Sequence, residues 1–287
     1  MANVNEKRGE ELNQLSRLSF DIAANLWYAS VLLDILAALA SLILSFVSDD
    51  YPQIKLVGAL IVLIVVLTSY IFRFKFTSRY DNAETMRRQS VLTEGLGYPI
   101  KNWMFSRWRE SVGKTVLNRF KLAARNDDYY RSRLSPSPRR LAEMTLESAF
   151  WTRQLYLRLL SIARLITGLM SLILVGVIII ILTGVLPSDT IQTVVYGLFV
   201  AVPLIISINC VGWVVQLQRL ERSLKEIERD LDELISETRV DEPPVLRLVS
   251  EYNCQVVAGF PIPNWVFKKN YGRINKEWDV AYGDKVK

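Results

Sequence analysis

The stretch Leu56-Val57-Gly58-Ala59-Leu60-Ile61-Val62-Leu63-Ile64-Val65-Val66-Leu67-Thr68-Ser69-Tyr70 carries no charge. A helix on the surface of a soluble protein needs one polar face, and this run has none. With its flanks, about 54–74, it reaches the roughly 20 apolar residues that a helix needs to cross a bilayer. Three other runs are of the same kind, at about 26–47, 165–186 and 191–215. The third is apolar around its whole circumference, with Gly, Ser and Thr as its only polar relief, and the first contains Asp34. Short connections pair the runs into two hairpins. The fold predicted is therefore an all-α membrane protein with four transmembrane helices in two hairpins and a helical cytoplasmic domain.

Working outward from these runs divides the chain into four parts. Residues 1–76 hold a lead-in helix (Asn13–Asn25 is amphipathic) and the first hairpin. Residues 77–161 form a cytoplasmic helical module, 162–216 the second hairpin, and 217–287 a heptad helix with a C-terminal module. Charge gives the orientation. Of the 35 Lys and Arg, 33 lie in residues 1–25, 73–161 and 219–287, while the connections 48–53 and 187–190 hold none. By the positive-inside rule both termini face the cytoplasm. The N-terminus is polar for about 20 residues, which does not suit a cleavable signal peptide. The net charge of +6 is accounted for by topology and by anionic headgroups, which attract juxtamembrane cations by about 1 kcal/mol each. No nucleic-acid polymer is expected as a partner.

Composition also bounds the chemistry. There is no histidine, the commonest general base and metal ligand. The two cysteines, Cys210 and Cys254, fall in a span and in the soluble tail, without the neighbours that zinc needs. No phosphate-binding glycine loop, serine elbow or metal-spaced carboxylate cluster is present. The expectation is a protein without enzymatic activity, cofactor or metal.

One phrase occurs twice. Gly97-Tyr98-Pro99-Ile100-Lys101-Asn102-Trp103-Met104-Phe105 returns as Gly259-Phe260-Pro261-Ile262-Pro263-Asn264-Trp265-Val266-Phe267. Each copy follows a pair of apolar runs, so a two-fold duplication is predicted. Each copy also opens a basic, aromatic surface: Lys101, Trp103, Arg107, Trp108 and Arg109 after the first, and Trp265, Lys268, Lys269, Tyr271 and Arg273 after the second. Arginine beside an aromatic ring suits a planar anion, because guanidinium pairs with phosphate while the ring stacks on a base. The same tryptophans can equally be apolar wedges that fix the turns after the prolines. Under duplication the copies should face a common space. Asp127-Asp128-Tyr129-Tyr130-Arg131 is a further candidate, with Tyr129, Tyr130 and Arg131 as ligand residues.

The helices between these landmarks are legible. Thr77–Thr93 continues the second span with Arg79, Arg87 and Arg88 exposed, and Gly95, Gly97 and Pro99 end it. Asn102 is placed to cap a helix from Trp103 to about Asp127. The helix Arg139–Ile162 runs into the third span. Leu217, Leu220, Leu224, Ile227, Leu231 and Leu234 alternate spacings of 3 and 4, a heptad seam that packs either on Arg139–Ile162 or on a second subunit. Pro243-Pro244 ends it, and an apolar helix Val245–Val257 follows.

Within the spans, Asp34 should face the bundle interior, a water path or a neighbouring subunit, or else reach back to headgroups. Asn209 and Gln216 either line a pore or pin helices together. Gly168, Gly176 and Gly184 should admit a close partner helix, and Pro203 should kink the fourth span.

Taken together, the two hairpins, the region Asp128-Tyr129-Tyr130 through Arg140-Leu141, Glu143 and Glu147-Ser148-Ala149-Phe150, and the helical tail resemble the SMODS-associated four-transmembrane effectors of bacterial CBASS anti-phage systems. The resemblance implies a cytoplasmic domain that senses a cyclic oligonucleotide second messenger made by a partner nucleotidyltransferase. It also implies spans that assemble as a homo-oligomer and breach the lipid bilayer of the bacterial inner membrane. No ligand residue carries over from it position by position. The competing expectation is a membrane scaffold that docks a protein partner through its heptad helix, followed by a transporter built on hairpin repeats in parallel.

Overall fold

The computed structural model describes residues 2–45, 47, 50–122, 130–183, 210–283 and 285–286. The described chain is helical throughout: α1 (Ala2–Ser45), α2 (Pro52–Leu96), α3 (Asn102–Ser111), α4 (Gly113–Leu122), α5 (Pro138–Leu182), α6 (Cys210–Ser236), α7 (Glu242–Ala258) and α8 (Asn264–Tyr282). Three of these, α1, α2 and α5, are long and apolar enough to cross a membrane. The fourth apolar run, with Pro203 and Asn209, lies outside the described residues apart from its last turn, as do Gly184, Asp127, Asp128 and Tyr129.

The long helices have identifiable ends. Pro52 and Pro138 open α2 and α5, where a missing N–H costs nothing. Ser137 accepts the Arg140 N–H at 3.2 Å, satisfying one donor in the first turn of α5. α2 runs through Gly95, where Leu141 packs so closely that a Cβ would lie 2.8 Å from its Cδ1. It stops at Gly97, whose φ of +76° is the left-handed conformation that ends many helices. Gly113 repeats that value and divides in two the single helix expected over Trp103–Asp127. The prolines after α6 sit in the first turn of α7, so they start a helix rather than stop one.

The chain separates into two compact units. One comprises Met1–Ala24, Thr77–Leu159 and Gln216–Lys287; the other comprises Asn25–Phe76 and Leu160–Val215. The second unit turns its apolar side chains outward: Leu56, Val57, Leu60, Ile61, Leu63, Ile64 and Leu67 on α2 are each more than half exposed. So are Leu165, Leu169 and Leu172 on α5. A water-soluble protein does not present apolar surface on this scale. The chain is a multi-pass membrane protein. Inside this unit Ser69 donates to the Ser30 carbonyl at 3.1 Å, Asp34 pairs with Arg73, and Trp27 meets Trp213 at 5.3 Å. A methyl group at Gly168 or Gly176 would meet no described atom within 4 Å, so no described helix makes the close approach expected there.

The first unit has an ordinary buried core. Leu12 and Leu15 of α1 pack with Met86, Ile100, Trp108, Val112 and Val116. The seam of α6 is covered within the chain. Leu217, Leu220, Leu224, Ile227 and Leu231 are buried, and the seam then steps by four to Ile235 instead of Leu234. Glu228 beside it accepts from Arg153 Nε at 2.6 Å and from the Tyr282 hydroxyl at 2.8 Å, tying α6 to α5 and α8. Of the two packings expected for this seam, the chain makes the internal one.

Candidate functional site

The first unit holds a cavity of about 410 Å³, within the range of small-molecule sites. Its walls come from α1, α2, the segment at Tyr130, α5, α7 and α8. Nine of its lining side chains are aromatic and three are arginines, Arg17, Arg87 and Arg131; the opposing carboxylates are Asp21 and Glu147.

The aromatic wall is continuous. Trp151 lies 5.6 Å from Phe267 and 5.5 Å from Tyr271, which are themselves 5.6 Å apart. Helical spacing explains two of the three, since Phe267 and Tyr271 stand four apart on α8 and share a face. Across the cavity Phe20 meets Tyr80 edge-on at 5.2 Å.

The basic wall is built around Arg87. Its guanidinium pairs with Glu84 at 2.6 Å, donates to Asn253 Oδ1 at 2.7 Å and lies 5.2 Å from the Tyr252 ring centroid. Burial alone would push the Glu84 carboxyl up. Hydrogen bonds and charge from Arg87 and Arg88 outweigh that and hold it below the usual carboxylate range. Arg87, expected on an exposed face, has a side chain only 15% exposed. The signal was present in the i,i+3 and i,i+4 spacing of Glu84, Arg87 and Arg88.

Arg131 completes the site. Its backbone N–H donates to Glu147 at 3.0 Å, and its side chain reaches Asn275 at 3.1 Å and pairs with Asp279. Burial pushes Glu147 up to about 6, against the opposing pull of that N–H and of the Arg131 and Arg133 charges. Burial likewise raises Asp21, offset in part by Arg17, Arg119 and Lys268.

Of the ligand residues expected from sequence, Tyr130 and Arg131 line the cavity, as does Tyr271 of the second basic surface. Trp108 is buried in the core with Leu12 and Met86. Lys101, Trp103, Arg107 and Arg109 are exposed away from the cavity, with Arg109 3.8 Å from Glu11. Trp265, Lys268, Lys269 and Arg273 are also exposed, and Arg273 pairs with Glu277. Residues that sequence reasoning passed over, Arg17, Trp151, Tyr252 and Phe267 among them, make most of the wall.

The two copies of the phrase make the same corner. Lys101 and Pro263 both precede the helix with φ near −65° and ψ of 138°. Each carbonyl then accepts from the third and fourth residues on, at 3.0–3.2 Å. Neither helix is capped by a side chain, so Asn102 opens α3 without capping it. The copies do not face a common space. Arg8 reaches the Ile100 carbonyl at 3.4 Å, whereas Asn264 reaches Asp21 at 3.4 Å. Those two positions on α1 are thirteen residues, about 20 Å, apart. Only the second copy lines the cavity, through Phe260, Pro261, Ile262, Asn264 and Phe267.

The segment Val256–Asn264 is also held by every long helix of the unit. Tyr80 of α2 donates to the Val256 carbonyl at 3.0 Å, Tyr156 of α5 to Phe260 at 3.3 Å, and Gln216 of α6 to Ala258 at 2.5 Å; α1 contributes Asp21. Each of the four holding residues lies within nine positions of an apolar run in the sequence. Gln216 therefore makes a pinning hydrogen bond; Asn209 is outside the described residues. Comparison with family models, curated proteins and solved structures finds no match for this chain.

Proposed function

We propose that the protein is a ligand-gated membrane effector. Its cytoplasmic cavity takes a cyclic oligonucleotide second messenger, and its spans assemble as a homo-oligomer that permeabilises the bacterial inner membrane during anti-phage defence. The observation that carries this reading is the cavity itself, an aromatic and arginine-lined space of whose wall helices three, α1, α2 and α5, continue into the apolar runs. The Trp151, Phe267 and Tyr271 rings suit stacking on nucleobases, and Arg17, Arg87 and Arg131 suit phosphate. A ligand there would bear on Phe260, Pro261 and Asn264, and through that segment on α1, α2, α5 and α6 together.

The remaining architecture belongs to the same proposal: four spans in two hairpins, both termini in the cytoplasm, and a duplicated ancestral half. The distribution of Lys and Arg supports the orientation, and the matched corners at Lys101 and Pro263 support the duplication. A protein-docking scaffold draws less support, because the leucine seam that would dock a partner is covered by the chain itself.

Dye release from liposomes carrying the full-length protein tests the proposal. Addition of cyclic di- or trinucleotides should trigger release, and Trp151→Ala and Phe267→Ala, in folded protein, should abolish the response. Absence of release and of binding across a panel of such ligands would refute it.

A further inference from the structure

We propose that Glu147 reads the base of the ligand and makes the cavity selective for guanine over adenine. The inference rests on the reading of the cavity as a cyclic-oligonucleotide site and adds which base that site selects.

Glu147 is buried in the cavity wall, 7% exposed. Its Oε2 accepts the Arg131 backbone N–H at 3.0 Å, and its Oε1 makes no hydrogen bond among the described residues. Buried polar atoms are nearly always hydrogen-bonded, and an ionised carboxylate has about four sites for donors. The fold fills one of them. The raised value of about 6 has the same origin, since burial is offset only in part by that N–H and by the Arg131 and Arg133 charges. At neutral pH the group is still mainly ionised, so it accepts hydrogen bonds and donates none.

Its place on α5 gives that unfilled acceptor a use. Glu147 stands four residues before Trp151, so the two share a face with Cβ atoms about 5–6 Å apart. A base stacked on Trp151 brings its edge within reach of the carboxylate. The neighbouring hydroxyls do not compete for that edge as donors: Ser148 donates to the Met144 carbonyl at 2.9 Å and Thr152 to the Ser148 carbonyl at 2.7 Å. A base held in a protein pocket is read by stacking and by hydrogen bonds to its Watson–Crick edge. Guanine sets two adjacent donors there, N1–H and the N2 amino group, and matches a carboxylate. Adenine and cytosine set one amino group beside a ring nitrogen acceptor, and uracil sets one N–H between two carbonyls. Each of these three brings an acceptor against the negative charge.

Calorimetric titration of the full-length protein in detergent with cyclic di-GMP, cyclic GMP–AMP and cyclic di-AMP tests the assignment. The tightest ligand should contain guanine and bind at least about ten-fold more tightly than cyclic di-AMP. Glu147→Gln removes the charge and keeps the size, and a matching elution profile confirms intact protein. It should bring that ratio within about two-fold or invert it, because an amide offers one donor and one acceptor, the pattern that adenine matches. Asp21, the other carboxylate of the cavity, stands on α1 and accepts from Asn264 at 3.4 Å; Asp21→Asn should leave the ratio as it is. Equal or tighter binding of cyclic di-AMP by the wild type, an unchanged ratio in Glu147→Gln, or a ratio lost in Asp21→Asn alone would overturn the role of Glu147. Guanine preference without dye release would leave that role standing and refute gating. Release by all three ligands at equal affinity would do the reverse, and binding of none would overturn both.

Discussion

The Tyr156 hydroxyl occupies the space that a Cβ on Gly259 would need, and the ring carbon that carries it would lie 2.9 Å from that Cβ. Gly259 is therefore glycine because α5 passes too close, and its own φ of −82° is one any residue adopts. Gly97, its counterpart in the first copy, would bring a Cβ no nearer than 3.3 Å to the Pro136 side chain and is glycine because φ is +76°. Alanine should destabilise at both positions, by about 1–3 kcal/mol at 259 from overpacking and about 1–2 kcal/mol at 97 from backbone strain. Asparagine, which tolerates the left-handed region, should be accepted at 97 and rejected at 259. Thermal midpoints of the four variants in detergent decide this; equal behaviour of asparagine at both sites would contradict it.

Among the tryptophans of the repeated phrase and its helix, burial predicts opposite outcomes. Trp108 is 9% exposed in the core against Leu12 and Met86, so Trp108→Ala should cost about 3–5 kcal/mol. Trp103, one turn earlier, is exposed, and Trp103→Ala should stay within about 0.5 kcal/mol. A chemical-denaturation series on the two variants measures the difference.

The apolar runs were legible because a helix with no polar face has no alternative home, and α2 and α5 continue through them as the sequence indicates. The corner after Gly97 was legible as a stop, since glycine and proline act locally. The break at Gly113 was not, because a single glycine within a helical pattern does not announce its φ. The cavity was illegible for a different reason. It is assembled from segments between Asn13 and Asn275, and nothing local marks Arg17 or Trp151 as sharing a space with Phe267. Trp103 and Trp265 drew notice as ligand residues for their composition alone. Trp108 was grouped with them, yet it stands four residues before Val112 and eight before Val116, and all three are buried together in the core.

Asp34 is answered by Arg73 of the neighbouring helix, which accounts for a carboxylate within an apolar run. Substituting Asp34 by Leu strands the arginine. At the centre of a bilayer a lone charge costs about 2.5–3.5 kcal/mol on insertion scales; at the end of its apolar run, where a long side chain reaches the interface, Arg73 costs less than that. Asp34→Leu should therefore lower folded yield and thermal midpoint, and Asp34→Leu/Arg73→Leu should recover most of the loss, since the pair can be replaced by apolar side chains. If the single variant matches wild type in both yield and midpoint, the pair has no structural role.

Glu147 gives the polar unit a pH dependence of definite sign. Burial lifts its carboxyl from the ordinary 4.5 to about 6, so the fold favours the protonated form. A group whose folded value is raised stabilises fully below the unfolded value and loses that contribution as pH rises through the folded one. The window is about pH 4.5 to 6, and the difference of 1.5, at 1.36 kcal/mol each, is about 2 kcal/mol. Glu84 works in the opposite direction, because its lowered value contributes stability that is lost on acidification. The raw stability profile mixes the two, and Glu147→Gln separates them. Glutamine keeps an acceptor for the Arg131 N–H and removes the charge. Relative to wild type, Glu147→Gln should gain about 2 kcal/mol between pH 4.5 and 7.5 and be the more stable protein at neutral pH. Thermal midpoints of both proteins across that range give the difference directly; a gap that does not change with pH would show that Glu147 titrates alike in the folded and unfolded chain.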